Sequence, residues 1–273
     1  MLTPNPIPPA REVASALNSL LDALVRGAHR LQLLGWPRHP YFLFADASML
    51  LVIGLGLGFT AFVEGFALLP FMLAFAATQL VYQGVFLHLK HRLLGERARS
   101  FLQDTVLVVL PTWLATTWAL GIPLAVAADF AALSLALVLA SMRAGCFVGG
   151  CCYGVPARWG VRYDASTQRA VDGWRRFTPG PIPHTRVIPI QLISSLVSLG
   201  LFAALLARTL ARGGPDGRAL PLFMIGYAGY RLFADFFRGH RHRPVRGHLS
   251  EAQWACLVVL TLSSIALMVW GLG

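Results

Sequence analysis

Arg143-Ala144-Gly145-Cys146-Phe147-Val148-Gly149-Gly150-Cys151-Cys152-Tyr153-Gly154 gathers one arginine, four glycines and three of the chain's four cysteines into a single short stretch behind a long apolar run. Glycine lets a backbone turn sharply or approach another group closely, and arginine at the edge of an apolar segment is a planar, bidentate ligand for anions. The stretch therefore reads as a lip at a membrane surface that holds an anionic group.

Working outward, the 273 residues are 56% hydrophobic and only 13% charged, with a mean hydropathy of +0.62. That composition excludes an ordinary soluble globule and points to an all-α, polytopic transmembrane helical bundle. A bilayer core of roughly 30 Å needs about 20 apolar residues per helix. On that ruler the spans fall at Tyr41–Glu64, Phe66–Leu87, 104–120, 123–142, Ile188–Leu206, Leu220–Phe237 and Glu251–Trp270, which is about seven helices. The net charge of +11 sits between the apolar runs, where it faces phospholipid headgroups. No interleaved aromatics or RNA-binding motif accompany it, so nucleic acid is not an expected partner.

The chain divides at about residue 40. The start has no cleavable signal pattern, and Thr3–Pro9 reads as a stiff extended leader. From Ala10 to Trp36, Val13, Leu17, Leu20, Leu24, Ala28, Leu31 and Leu34 recur at helical spacing. This is an amphipathic helix, lying in the membrane interface or packed on the protein's own surface. Residues 41–273 form the helical domain.

Two spans separate the lip from Arg238, so both ends return to one side of the membrane and Arg143 and Arg238 can act together. Trp159–Asp164 reads as extended. The sixth span ends in Tyr230 to Arg238, and on a helix Arg231, Asp235 and Arg238 share one face at i, i+4 and i+7.

With these residues in place, the chain resembles the prolipoprotein diacylglyceryl transferases, seven-helix enzymes of the bacterial inner membrane. Their signature R-x-G-N-F-x-N-G-E-x-x-G is matched in register by Arg143, Gly145, Phe147, Gly150 and Gly154. Ala128-Asp129-Phe130 matches a helix opening with aspartate. Their H-P-x-Q-L-Y-E is met in part by Ile188-Pro189-Ile190-Gln191-Leu192-Ile193-Ser194, and their F-R-x-x-x-E-F-x-R by Tyr230-Arg231 through Asp235-Phe236 to Arg238. The resemblance implies transfer of the diacylglyceryl group of phosphatidylglycerol, or a related anionic phospholipid, to the lipobox cysteine at a prolipoprotein signal peptide. It implies no cofactor. Arg143 and Arg238 would hold the departing phosphate, and Gly145, Gly150, Gly154, Gln191, Arg231 and Asp235 would shape the lipid site.

The departures are as specific. Cys146, Gly149 and Cys151 stand where the family carries two asparagines and a glutamate. Ser100-Phe101-Leu102-Gln103-Asp104 stands where it carries H-G-G with a histidine implicated in catalysis. Candidates for deprotonating an acceptor thiol are then Asp104, Asp235 and His184. The three cysteines fill a tight turn, pair as a disulfide or ligate a metal. C-x4-C-C is no established ligand spacing and no histidine lies nearby, so no metal site is expected. Glu64 and Asp129 are costly if they face lipid and cheap at helix ends, where the boundaries place them. Basic loops follow the second, fourth and sixth spans, which by the positive-inside rule would put the lip in the cytoplasm. The resemblance puts it on the extracytoplasmic side.

Overall fold

A computed structural model describes residues 8–33, 40–94, 105–163, 185–239 and 245–271. Each expected span carries a helix. These are α2 (Pro40–Phe62), α3 (Leu68–Gln79) running through a π turn into α4 (Leu87–Leu94), α5 (Leu110–Ala119), α6 (Leu124–Val148), α7 (Ile190–Ala211), α8 (Ala219–Ala234) and α9 (Glu251–Gly271). Five continuous helical stretches are long and apolar enough to cross a membrane, at Pro40–Phe62, Leu68–Leu93, Leu124–Val148, Ile190–Ala211 and Glu251–Val269. The helices at the third and sixth expected spans are shorter. The chain is a multi-pass membrane protein. Preceding the bundle is α1 (Pro8–Leu33), and three short strands, β1 (Pro156–Val161), β2 (Val245–Arg246) and β3 (Leu249–Ser250), lie between helices.

The chain forms two compact units. One comprises 1–47, 141–196 and 233–243; the other comprises 48–140, 197–232 and 244–273. The second unit is built on α6, whose apolar window is 61% buried against 17–28% for the other four. Ala127, Ala131, Ala132 and Ala136 are small residues buried along it. Between helices in lipid there is little hydrophobic driving force, so close approach and packing do the work that water would otherwise do. Phe130 sits at the centre of an aromatic cluster, its ring centroid 5.2 Å from Phe66 and Trp113, 5.3 Å from Phe59 and 5.4 Å from Phe71.

Asp129 precedes that ring and is fully buried (0% exposed). Its carboxylate accepts the backbone N–H groups of Asp216 (2.9 Å) and Ala219 (2.8 Å), at the start of α8. A helix N-terminus carries unsatisfied donors and partial positive charge, and here a side chain from another helix satisfies both. Asp129 thereby allows α8 to begin inside the bundle. At about 1.5 Å per residue the 16 residues of α8 span about 24 Å, short of a full crossing. Glu64 lies exposed in the turn after α2, away from such a network.

Arg208 clamps the same connection by a two-pronged ion pair to Asp216, at 2.9 and 2.6 Å. Hydrogen bonding from Arg208 holds the Asp216 carboxyl below its ordinary value of 3.8. A depressed carboxylate stabilises the fold above its unfolded pKa, and that contribution is lost as pH falls through the folded value. The melting temperature should therefore drop on acidification below about pH 4. Asp216→Asn should flatten this acid limb while lowering stability at neutral pH. Parallel acid limbs in the two proteins, read by thermal unfolding against pH, would contradict the assignment.

In the first unit α1 has two faces. One presents Asn18, Leu21, Asp22, Val25 and His29 to the protein. Asn18 accepts the N–H of Gly160 (2.7 Å), Asp22 accepts the N–H of Arg162 (2.9 Å) and pairs with Arg186 (2.8 Å), and His29 Nε2 bonds the carbonyl of Val148 (3.0 Å). Leu21 and Val25 are buried with Phe147, Val161 and Val187. On the other face Val13, Leu17, Leu20 and Leu24 stay 68%, 39%, 56% and 49% exposed. The helix thus packs on the protein's surface and still presents an apolar stripe outward.

Candidate functional site

The lip is the end of α6. Gly150 has φ +69°, the Cys151 N–H bonds the Cys146 carbonyl at 3.1 Å, and the Gly150 N–H bonds the Phe147 carbonyl at 3.4 Å. This pair of bonds around a left-handed glycine is a Schellman motif, which closes the last helical carbonyls. The motif brings together the residues third from the helix end and second beyond its cap. Here those residues are Cys146 and Cys151. Cys152 follows with φ +57°, a conformation that costs a side-chain-bearing residue about 1–3 kcal/mol. The three Sγ atoms lie within 4.8 Å of one another, and none of the three forms a disulfide. Hydrogen bonding to Cys146 and Cys152, together with burial, pushes the Cys151 thiol well above its usual range.

Beyond the turn the backbone meets two distant segments. The Gly154 N–H donates to the Ile188 carbonyl (3.0 Å), that of Ile188 to Val155 (3.1 Å), that of Val155 to Phe237 (2.9 Å) and that of Gly239 to Tyr153 (3.2 Å). Gly154 and Arg238 form an antiparallel bridge. A side chain at Gly154 would press on the Ile188 carbonyl oxygen at 2.6 Å and the Phe237 carbonyl oxygen at 2.9 Å, so the crossing requires glycine.

Arg238 differs from the sequence expectation. The α-helix ends at Ala234, Asp235–Phe237 make a 3-10 turn, and Arg238 is extended at φ −87°, ψ 134°. The i, i+4, i+7 face therefore does not persist to Arg238. The bridge to Gly154 recruits its backbone, and a residue in a strand bridge cannot also continue a helix. Its Nε is buried without a hydrogen-bond partner among the described residues.

Arg143 stands one turn before Cys146 on α6, within electrostatic reach of that thiol and of the Tyr41 hydroxyl. Gly145 admits α2, since a Cβ there would lie 3.0 Å from that of Phe44 and 3.3 Å from the Tyr41 carbonyl oxygen. Gln191, 1% exposed, donates from Nε2 to the Cys151 carbonyl (2.7 Å) and to the Tyr163 hydroxyl (3.3 Å). Its Oε1 is buried without a hydrogen-bond partner among the described residues. Tyr163 donates to the Phe147 carbonyl at 2.8 Å, and burial pushes its hydroxyl well above the usual phenol range. Asp235 is buried at the start of the 3-10 turn.

The first unit thus brings together Arg143, Gly145, Gly150, Gly154, Gln191, Asp235 and Arg238. Arg231 lies on α8 in the second unit. Ser100–Asp104, Asp164 and His184 lie outside the described residues. The strand expected at Trp159–Asp164 runs from Pro156 to Val161. Sequence reading overlooked Asn18, His29 and Arg186 as anchors. Asn18 and Asp22 are spaced i, i+4 on a helix otherwise judged by its leucines, and that spacing was the available signal.

Comparison with known proteins identifies the family. A family model described as prolipoprotein diacylglyceryl transferase matches residues 105–270, well over half of the chain. A phosphatidylglycerol–prolipoprotein diacylglyceryl transferase of Clostridium tetani (strain Massachusetts / E88) is 30% identical over 136 residues, 49% of each protein. The match thus spans about half the length of that curated relative. With the lip, its glycines and the matched C-terminal half taken together, the chain belongs to the prolipoprotein diacylglyceryl transferase family.

Proposed function

We propose that this protein transfers the diacylglyceryl group of phosphatidylglycerol to the cysteine thiol of a prolipoprotein, at the outer face of a bacterial inner membrane. In that displacement a C–S bond forms as the C–O bond to phosphate breaks. The thiol proton leaves to a base, and glycerol phosphate departs. Negative charge accumulates on the phosphate oxygens, so fixed guanidinium donors stabilise the transition state more than the ground state. The observation that carries the reading is the buried, unpartnered Nε of Arg238, held beside the lip by the Gly154 bridge. An unsatisfied guanidinium donor in a partly dry setting calls for an anion. Arg143 supplies a second cation in the same unit. The prolipoprotein and its signal peptide enter this reading through family membership.

The test is transfer of a labelled diacylglyceryl group to a lipobox peptide in vesicles containing phosphatidylglycerol, with rescue of a transferase-depleted bacterium alongside. Arg143→Ala and Arg238→Ala should each lower the rate by about 10²–10³, the usual loss for one transition-state donor. Arg→Lys should recover only part, because the bidentate fork is gone. A well-inserted wild-type chain that transfers nothing would overturn the reading. That outcome would favour a second one, lipid binding without catalysis, which draws on the absence of the family's H-G-G histidine at Ser100–Asp104.

A further inference from the structure

We propose that Cys146, Cys151 and Cys152 form a three-sulfur site for a soft, thiophilic metal ion, with copper(I) as the ion whose coordination the site completes. Sequence spacing argued against a metal, since C-x4-C-C is not an established ligand spacing and no histidine lies nearby. The Schellman turn removes that objection: it folds the chain back so that Cys146 and Cys151, five residues apart, come to face each other. The left-handed Cys152 then adds the third sulfur.

Geometry supports the assignment. A trigonal complex with metal–sulfur bonds of about 2.3 Å sets its sulfurs about 4 Å apart. The three Sγ atoms already lie within 4.8 Å of one another, so rotamer adjustments of less than an ångström close the site. Thiolate sulfur selects copper(I) and zinc over harder ions. Zinc in structural sites takes four protein ligands, and among the described residues the group of close histidine, cysteine and acidic side chains holds only these three. Three sulfurs suffice for trigonal copper(I). The charge also favours binding, because Arg143, one turn away, offsets part of the excess negative charge of three thiolates around a monovalent ion.

Cys152 carries a second argument. Glycine would occupy φ +57° without strain, and this chain uses glycine at neighbouring turn positions such as Gly150. A cysteine there accepts a backbone cost that its sulfur must offset. The Gln191 side chain, whose buried Oε1 has no donor among the described residues, is tied to the same loop by the Nε2 bond to the Cys151 carbonyl. A bound ion would tie the end of α6, at Cys146, to the turn that follows it, at Cys151 and Cys152, fixing the segment on which Arg143 stands.

The experiment uses the full chain in detergent micelles, reduced and stripped of metal, titrated anaerobically with copper(I) against a chromophoric copper(I) chelator. Thiolate-to-copper absorption in the ultraviolet reports sulfur ligation. The wild type should take up one equivalent. Cys146→Ser, Cys151→Ser and Cys152→Gly should each bind at least about 100-fold more weakly, since even outer partners of a metal site are worth roughly 10–100-fold. Cys152→Gly is the decisive variant, because relief of backbone strain should keep its melting temperature at or above that of the wild type while affinity falls. Equal affinity in wild type and Cys152→Gly would overturn the site. So would a Cys146–Cys151 or Cys146–Cys152 disulfide, found by mass spectrometry of the chain from cells, that persists under copper. Tighter retention of zinc than of copper(I) in a parallel chelator competition would overturn the choice of ion. None of these readouts depends on diacylglyceryl transfer, so the metal site and the transferase reading fail separately.

Discussion

Gly154→Ala should lower the melting temperature of the solubilised protein by roughly 10 °C, corresponding to about 3–5 kcal/mol. The added methyl meets the Ile188 carbonyl oxygen at 2.6 Å and the Phe237 carbonyl oxygen at 2.9 Å. Both neighbours are backbone, so neither can swing aside as a flexible side chain would. Overpacking of this kind costs about 1–3 kcal/mol. Forcing the segments apart also stretches the bonds from Gly154 to Ile188 and from Val155 to Phe237, each worth about 1 kcal/mol. The same displacement takes Arg238 away from the lip, so transfer activity should fall with stability. Gly200→Ala is the control. It lies within α7, and a Cβ there meets nothing within 4 Å, so alanine should stabilise by about 0.5–1 kcal/mol. If thermal unfolding finds the two variants alike, the three-way crossing at Gly154 is not what holds this unit together.

Asp129→Ala should cost a comparable amount, about 3–5 kcal/mol. Two backbone donors that bond a carboxylate would be left buried without a partner. Bonds to charged groups are worth about 1.5–3 kcal/mol each. The positive end of α8 would also lose its counter-charge. Asp129→Asn should recover little, because its amide nitrogen would confront one of the two N–H groups it must satisfy. Arg208→Ala should cost less, since the Arg208–Asp216 pair is 22% and 30% exposed and partly screened. These effects are read as melting temperatures and as the yield of monodisperse protein. Loss of transfer by Asp129→Ala at unchanged melting temperature would mean that Asp129 belongs to the chemistry and not to the scaffold.

The helices were legible in the sequence because lipid imposes a ruler, and every expected span carries one. Two are shorter than the ruler, and for α8 the reason is not local: it starts within the bundle because Asp129, far back in the chain, supplies the acceptors its N-terminus needs. No local pattern announces an acceptor that arrives from another helix. The lip's glycines were legible as glycines, since a turn and a close approach both demand them. What could not be read was the proximity of Cys146, Cys151 and Cys152. It depends on Gly150 taking a left-handed conformation, and once that is granted the contact follows from the geometry of a helix end. Arg238 was placed on a helical face because Tyr230 to Phe237 has helical spacing, whereas its conformation is set by Gly154. α1 was read by its leucines, and the face that binds the protein is instead marked by Asn18, Asp22 and His29.

The unit carrying the lip is written in three separated stretches, 1–47, 141–196 and 233–243, and this orders events during synthesis. At about 5–20 residues per second, Arg238 leaves the ribosome roughly 4–17 s after Gly154. Until then the end of the lip has its bonds to Ile188 but not its bridge to Arg238, and no shorter nascent chain contains both arginines. The two arginines come into one unit only after the sixth apolar segment has been made, so a product truncated before it lacks the Gly154–Arg238 bridge.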